Sequence, residues 1–237
     1  MICICLPTYN ERENLEAMVS ALGEVLPEDS RILVIDDNSP DGTGEIADQL
    51  AAERGDVEVL HRPRKEGLGP AYLAGFRRAL GLGADLVLEM DCDFSHDPAD
   101  VPRLLAAADG ADLVLGSRYV PGGGTKNWGV LRRVVSRVGS LYAQVLLGLR
   151  VRDLTGGFKC YRRAVLETID LDAIKSKGYA FQIETTYRAI RAGFRVAEVP
   201  IVFVDRQVGG SKMSNSIVLE AIWKVPALRL SRLRVRA

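Results

Sequence analysis

Through the first half of the chain, short apolar runs alternate with longer stretches whose apolar residues recur every three or four positions. Ile2–Leu6, Arg31–Ile35, Val57–Leu60, Ala84–Met90 and Asp112–Ser117 read as strands. Glu11–Leu22, Glu45–Arg54, Gly69–Leu82 and Ala99–Ala107 read as the intervening helices. Strands separated by helices predict an α/β fold with a mainly parallel central sheet covered on both faces. In such sheets the loops at the carboxyl ends of the strands gather along one edge, where ligands bind.

After Pro121 the rhythm changes. Three glycines, Gly122 to Gly124, precede a long helical pattern over Val130–Leu147 in which Leu131, Val134, Val135, Val138, Leu141, Tyr142 and Val145 share a face. Arg132, Arg133 and Arg137 lie on the same helix. Two readings fit this pattern: core packing with a solvated basic face, or a helix lying at a membrane surface. Further on, a helix is expected over Phe181–Ala192 and a strand over Arg195–Phe203, with Pro200 placing that strand at an edge. A polar loop over Asp205–Ser214 leads to a helix over Asn215–Lys224. Beyond Glu220 every charged residue is basic: Lys224, Arg229, Arg232, Arg234 and Arg236.

Composition narrows the class. With 237 residues and 47% hydrophobic content the chain can build a substantial core. Its 31 basic and 31 acidic residues balance, so the surface as a whole gives no expectation of a nucleic-acid partner. Four cysteines without CxxC spacing, and only two histidines, argue against a structural zinc site and for free thiols in a reducing compartment. No secretory signal is read at the start, and no apolar run approaches the roughly 18 residues of a membrane helix. Membrane contact is therefore expected to be peripheral.

Candidate chemistry concentrates at strand ends. Asp91-Cys92-Asp93 follows an apolar strand, and in extended backbone both carboxylates face one way. Such a pair suits a hard divalent cation completed by phosphate oxygens or water, although ordinary turns and caps use the same spacing. Asp36, Asp37, Asn38 and Ser39 follow the second strand and offer acceptors for a base or ribose, or else a turn leading into a helix. Arg118 lies just beyond the fifth strand, Arg132 and Arg133 open the long helix, and Arg206 and Lys212 flank a glycine-containing loop. Guanidinium groups and glycine-rich backbone suit phosphate oxygens. The chain has no GxGxxG after its first strand, no GxxxxGK[ST] and no GxSxG, which excludes the usual dinucleotide, P-loop and nucleophile-elbow readings.

An ordered set of motifs then runs along nearly the whole chain: LPTYNERENL at Leu6–Leu15, VIDDNSPDGTG at Val34–Gly44, GLGPAY at Gly67–Tyr72 and MDCDFSHDP at Met90–Pro98. GSRYVPGG at Gly116–Gly123, DLTGGFKCYRR at Asp153–Arg163, GYAFQIE at Gly178–Glu184 and EVPIVFVDRQVGGSKM at Glu198–Met213 complete it. By these motifs the chain resembles the inverting family 2 nucleotide-sugar glycosyltransferases, and among them the polyprenyl-phosphate and dolichyl-phosphate mannose synthases. The resemblance implies a GT-A fold over residues 1–225, including a membrane-proximal helical region, followed by a basic tail over residues 226–237. It implies GDP-mannose as donor, a polyprenyl monophosphate as acceptor, and Mg²⁺ or Mn²⁺ as cofactor. Pro7, Tyr9, Glu11 and Asp37 match donor-contacting positions, and Asp91 and Asp93 match those that organise the metal. Arg118, Arg132, Arg206 and Lys212 match the phosphate-rich reaction centre, with neighbouring Arg133 competing for the place of Arg132. Ser95 stands where some relatives carry Gln. The expected setting is the cytoplasmic side of a membrane, with a separate anchoring subunit as one means of attachment. A polyprenyl-phosphate glucosyltransferase using UDP-glucose, a transferase acting on a hydroxyl acceptor, and a nucleotide-binding regulatory protein are the alternatives.

Overall fold

The first strand and helix show how this alternation becomes layers. A computed structural model describes residues 1–205 and 215–230, and within the latter stretch the side chains of 223–230. β1 (Ile2–Thr8) buries Cys3, Ile4, Cys5 and Leu6 completely, as a strand covered on both faces must. α1 (Leu15–Val25) turns Leu15, Met18, Val19 and Leu22 inward at three- and four-residue steps. The unit recurs as β2 (Ser30–Asp36), α2 (Thr43–Glu53), β3 (Val57–His61), α3 (Leu68–Gly81), β4 (Leu86–Glu89), α4 (Val101–Ala107) and β5 (Leu113–Ser117). Next come β6 (Gly124–Lys126), α5 (Val130–Leu147), β7 (Lys159–Arg162), α6 (Arg163–Thr168), α7 (Gly178–Arg191), β8 (Val196–Pro200), β9 (Val202–Val204) and α8 (Asn215–Leu230).

Seven strands form the main sheet in the order β3-β2-β1-β4-β7-β5-β8. β1 runs parallel to β2 and β4, β2 to β3, and β5 to β8, while β7 is antiparallel to both its neighbours. The sheet is therefore mixed: β7 is reversed among strands that otherwise run one way, a detail the alternation did not show. β7 escapes a strand reading because its sequence is Lys-Cys-Tyr-Arg. Lys159 is nevertheless fully buried, opposite Glu89 of β4 in register, with Nζ 3.4 Å from Glu89 Oε1. Its ammonium also donates to the Gln182 carbonyl at 2.9 Å and to Gln182 Oε1 at 2.5 Å. Burial pushes Glu89 up to about 7, against the pull of Lys159, and pushes Lys159 down.

The reversed strand has a consequence for the edge. Because β7 runs against its neighbours, the loop preceding it, residues 153–157, lies where β4 and β5 end. The antiparallel insertion thus adds a loop to the carboxyl edge. β8 is the last strand in the order, as Pro200 required. The expected strand over Arg195–Phe203 divides at Ile201, and β9 pairs instead with β6 in a separate two-stranded sheet.

Both faces of the main sheet are packed. On one, Tyr72, Phe76, Tyr161 and Phe181 group with ring centroids 5.3 to 6.5 Å apart. On the other, Leu15, Met18 and Leu22 meet Val34, Leu88 and Val114. All four cysteines are buried, and none of them is in a disulfide.

α5 has the bounds its periodicity predicts, but core packing is overturned as the account of its apolar face. Leu131 is 77% exposed, Val145 is 70% exposed and Val138 is 58% exposed, while Ser140, Ala143 and Leu147 are the residues it buries. α8 continues past the expected end at Lys224, through Pro226, and residues 231–237 of the basic tail lie outside the described residues.

Candidate active site

Three turns at the carboxyl edge are each bent by a residue in the left-handed region: Asn10 (φ 55°) after β1, Asn38 (φ 58°) after β2 and Phe94 (φ 56°) after β4. Asparagine tolerates this conformation; for a bulky phenylalanine it is strained and marks a constrained site. Beyond Phe94 the chain folds back so that the Ser95 N–H donates to Asp93 Oδ1 at 3.0 Å. The three turns open onto one cavity of about 720 Å³. Pro7, Tyr9, Glu11, Asp37, Asp91, Asp93, Arg118 and Arg132 all line it. Arg206 and Lys212 lie outside the described residues.

At one end of the cavity the groups are suited to a base and ribose. Lys65 Nζ sits 3.9 Å from the centre of the Tyr9 ring. Glu11 is buried, accepts from Asn14 Nδ2 at 2.9 Å, and donates its backbone N–H to Thr43 Oγ1. Asp37 accepts from Arg62 Nη1 at 2.5 Å, and Arg62 is held in turn by Glu66. Burial pushes the Asp37 carboxyl up, and Arg62 offsets this only in part.

At the centre lie the paired carboxylates. Asp91 Oδ1 accepts from the Tyr72 hydroxyl at 3.2 Å, and Asp93 is held by the Ser95 backbone. Among the described residues no three acidic, histidine or cysteine side chains cluster as a complete protein cage for a metal. Two carboxylates facing an open cavity fit Mg²⁺ or Mn²⁺, which take one or two protein carboxylates and fill the remaining positions with substrate phosphate and water.

Beyond them is a cationic and aromatic wall. Arg118 Nε and Nη2 both bond Asp153, each at 2.7 Å, Nη2 also reaches Thr155 Oγ1, and the Arg118 backbone N–H donates to Asp153 Oδ2. Burial works against ionisation of this pair, but the mutual charge and hydrogen bonds prevail, holding Asp153 below the usual carboxylate range and Arg118 firmly protonated. The guanidinium of Arg118 is thus already committed to a carboxylate. Arg132 stands 4.3 Å over the Trp128 ring and bonds Asp205 at 2.5 Å. Arg133 turns away to the Trp128 carbonyl, so the geometry separates the two neighbours and gives the cavity to Arg132. His96 also faces the cavity; burial pushes its imidazole down to about 4, so it is neutral.

Asp153, Thr155, Trp128, His96 and Gln182 were not singled out as functional from sequence. A signal existed for the loop before β7: Asp-Leu-Thr-Gly-Gly. A Cβ on Gly156 would lie 3.3 Å from the Gly116 carbonyl, and one on Gly157 would lie 3.2 Å from Gln182 Nε2, so the paired glycines mark close approach.

The α/β sheet, with a crevice and a carboxylate pair at its carboxyl edge, is of the Rossmann-like GT-A kind. The chain belongs to glycosyl transferase family 2, whose model matches residues 3–170. It is 52% identical over 235 residues to an undecaprenyl-phosphate mannosyltransferase from Micrococcus luteus, covering 98% of this chain and 96% of that one. It is 53% identical over 224 residues to a polyprenol monophosphomannose synthase from Mycolicibacterium smegmatis, covering 94% of this chain and 84% of the relative. In fold it is similar to glucosyl-3-phosphoglycerate synthase from Mycobacterium tuberculosis in complex with Mn²⁺, UDP and glucosyl-3-phosphoglycerate. There the TM-score is 0.72 at 20% identity, over 96% of this chain and 79% of that one.

Proposed function

We propose that the protein transfers mannose from GDP-mannose to a polyprenyl monophosphate, giving a β-linked mannosyl phosphate lipid by inversion. The reading is carried by end-to-end similarity above half identity to two proteins that handle this class of substrate. The cavity accords with it. Pro7, Tyr9, Glu11 and Asp37 suit the nucleoside, and Asp91 and Asp93 suit the divalent ion beside the diphosphate. A bound Mg²⁺ or Mn²⁺ would supply Lewis-acid stabilisation of the charge growing on the GDP leaving group.

The residues of the chain have less covalent chemistry to perform than those of a transferase acting on a hydroxyl. A phosphate monoester has a second pKa near ~6 and is largely dianionic at neutral pH, so its oxygen attacks without a protein base. Arg132, with Arg206 and Lys212, would orient and partly neutralise the acceptor phosphate for in-line displacement. Arg118, gripped by Asp153, would be one half of a neutral ion pair that lines the wall with little rotational freedom. Incubation with GDP-mannose or UDP-glucose, polyprenyl phosphate and Mn²⁺ tests the assignment. Lipid-linked mannose is the expected product, and preferential glucose transfer, or no turnover by folded protein, would reject it.

The acceptor's location fits an exposed feature. The outward face of α5 presents Val134, Val138, Leu141 and Val145 to solvent, and α8 adds Trp223 and Leu230, which are 78% and 86% exposed. The two helices are joined where Arg229 Nη1 donates to the Leu146 carbonyl at 2.5 Å. No helix among the described residues is long and apolar enough to cross a membrane. This face would lie on the membrane as a peripheral contact, on the cytoplasmic side in the proposed reading, with the basic tail or an anchoring subunit adding to it. The double substitution Val138→Asp with Leu141→Asp is expected to reduce sedimentation with anionic vesicles at least about tenfold, since burying each side chain contributes roughly 1.5–3 kcal/mol. Thermal unfolding should barely change, because both side chains are exposed in the fold. Unaltered vesicle binding would remove α5 as the lipid-facing element.

A further inference from the structure

We infer that His96 is a positioning residue for the carboxylate pair: its Nε2–H closes on Asp91 Oδ2 and fixes the orientation in which Asp91 receives a divalent cation. This rests on the assignment of Asp91 and Asp93 as cation-holding residues. The imidazole is 2% exposed and wedged between two rings, Phe158 at 5.0 Å and Phe203, edge-on, also at 5.0 Å. Among the described residues neither of its nitrogens has a hydrogen-bond partner. An apolar side chain would fill such a slot without leaving two polar atoms unsatisfied, so the choice of histidine calls for a partner.

Geometry supplies one. Nε2 lies 4.0 Å from Asp91 Oδ2, about 1 Å beyond hydrogen-bond reach. The other oxygen of the same carboxylate already accepts from the Tyr72 hydroxyl. Asp91 is therefore flanked on both oxygens, by a made contact on one and a near contact on the other. The carboxylate is the movable partner, with 31% of its side chain exposed against 2% for the clamped ring. A small rotation of Asp91 toward the ring completes the pair. Carboxylates that hold metals characteristically accept hydrogen bonds from such outer groups, which fix their orientation.

The test is Mn²⁺ affinity, read by water-proton relaxation in the presence of GDP, for three substitutions. His96→Phe keeps a ring in the slot and deletes both nitrogens; Mn²⁺ binding is expected to weaken about ten- to a hundredfold. His96→Gln restores an amide N–H near the position of Nε2 and is expected to recover most of that loss. Binding of GDP in metal-free buffer should be the same in both variants and the wild type, which a collapsed cavity would not allow. If His96→Phe does not melt cooperatively, His96→Asn takes its place, since its shorter amide falls short of Asp91 and should bind Mn²⁺ weakly. Wild-type Mn²⁺ affinity in the phenylalanine or asparagine variant would overturn the inference, as would failure of glutamine to rescue. Mn²⁺ binding that is lost in Asp93→Asn yet unchanged in His96→Phe would remove this inference alone. Absence of GDP-dependent Mn²⁺ binding by the wild type would remove the carboxylate assignment beneath it.

Discussion

Conversion of Asp93 to asparagine is expected to cut mannosyl transfer by at least about a hundredfold, a loss of the size seen when one stabilising contact to a developing anion is removed. Asp91→Asn should behave alike, and the double variant should be little worse than either single one, because the two carboxylates act as a unit on one ion. Folding should be affected far less than turnover. Asp91 keeps its contact with Tyr72 through the amide oxygen, and the Ser95 N–H can still be accepted at position 93. The comparison is made in metal-controlled buffer, with single-turnover transfer from GDP-mannose read beside thermal unfolding. Transfer at the wild-type rate by both single variants would end the assignment of this pair. Reduced transfer together with an equal loss of stability would make the residues structural.

The second large effect concerns stability. Asp153→Ala leaves the Arg118 guanidinium buried without its carboxylate, and breaking a pair of this kind costs roughly 3–5 kcal/mol. The two side chains are 0% and 4% exposed, so little solvent is at hand to compensate. Urea unfolding measures the loss, and a variant within about 1 kcal/mol of wild type would show the pair to be dispensable. Arg118→Met combined with Asp153→Leu should regain much of the stability, since apolar replacements avoid the desolvation of both charges. The same pair sets a pH dependence. The folded-state pKa of Asp153 lies below its unfolded value, so near pH ~4 the unfolded chain binds more protons. The contribution is present above the unfolded pKa and is lost as pH falls through the folded one. Stability should fall on acidification below pH ~4 with a steeper slope in wild type than in the doubly substituted apolar variant.

Much of the candidate site was legible in the sequence. The Asp-Cys-Asp after a strand, the acidic turn after the second strand and the proline-bearing end of the first all sit at carboxyl ends, and a sheet of crossover-connected strands brings such ends together. The charged strand Lys159–Arg162 was not legible as a strand, because its β pattern depends on a partner 70 positions earlier in the chain, Glu89. Nor was the commitment of Arg118 to Asp153, 35 positions away, which turns a guanidinium that looked free for phosphate into one already held.

The amino-acid sequence by itself determined the alternation of the first five strands with four helices, the bounds of α5 and the positions of the carboxylates. These depend on local periodicity and on which residues end a strand, both carried within a few neighbours. The tertiary structure alone decided that β7 enters the sheet reversed, that Arg132 and not Arg133 reaches the cavity, and that the apolar stripe of α5 faces outward. A period of 3.6 residues specifies which side chains share a face; what that face meets is set by the packing of elements distant in the chain.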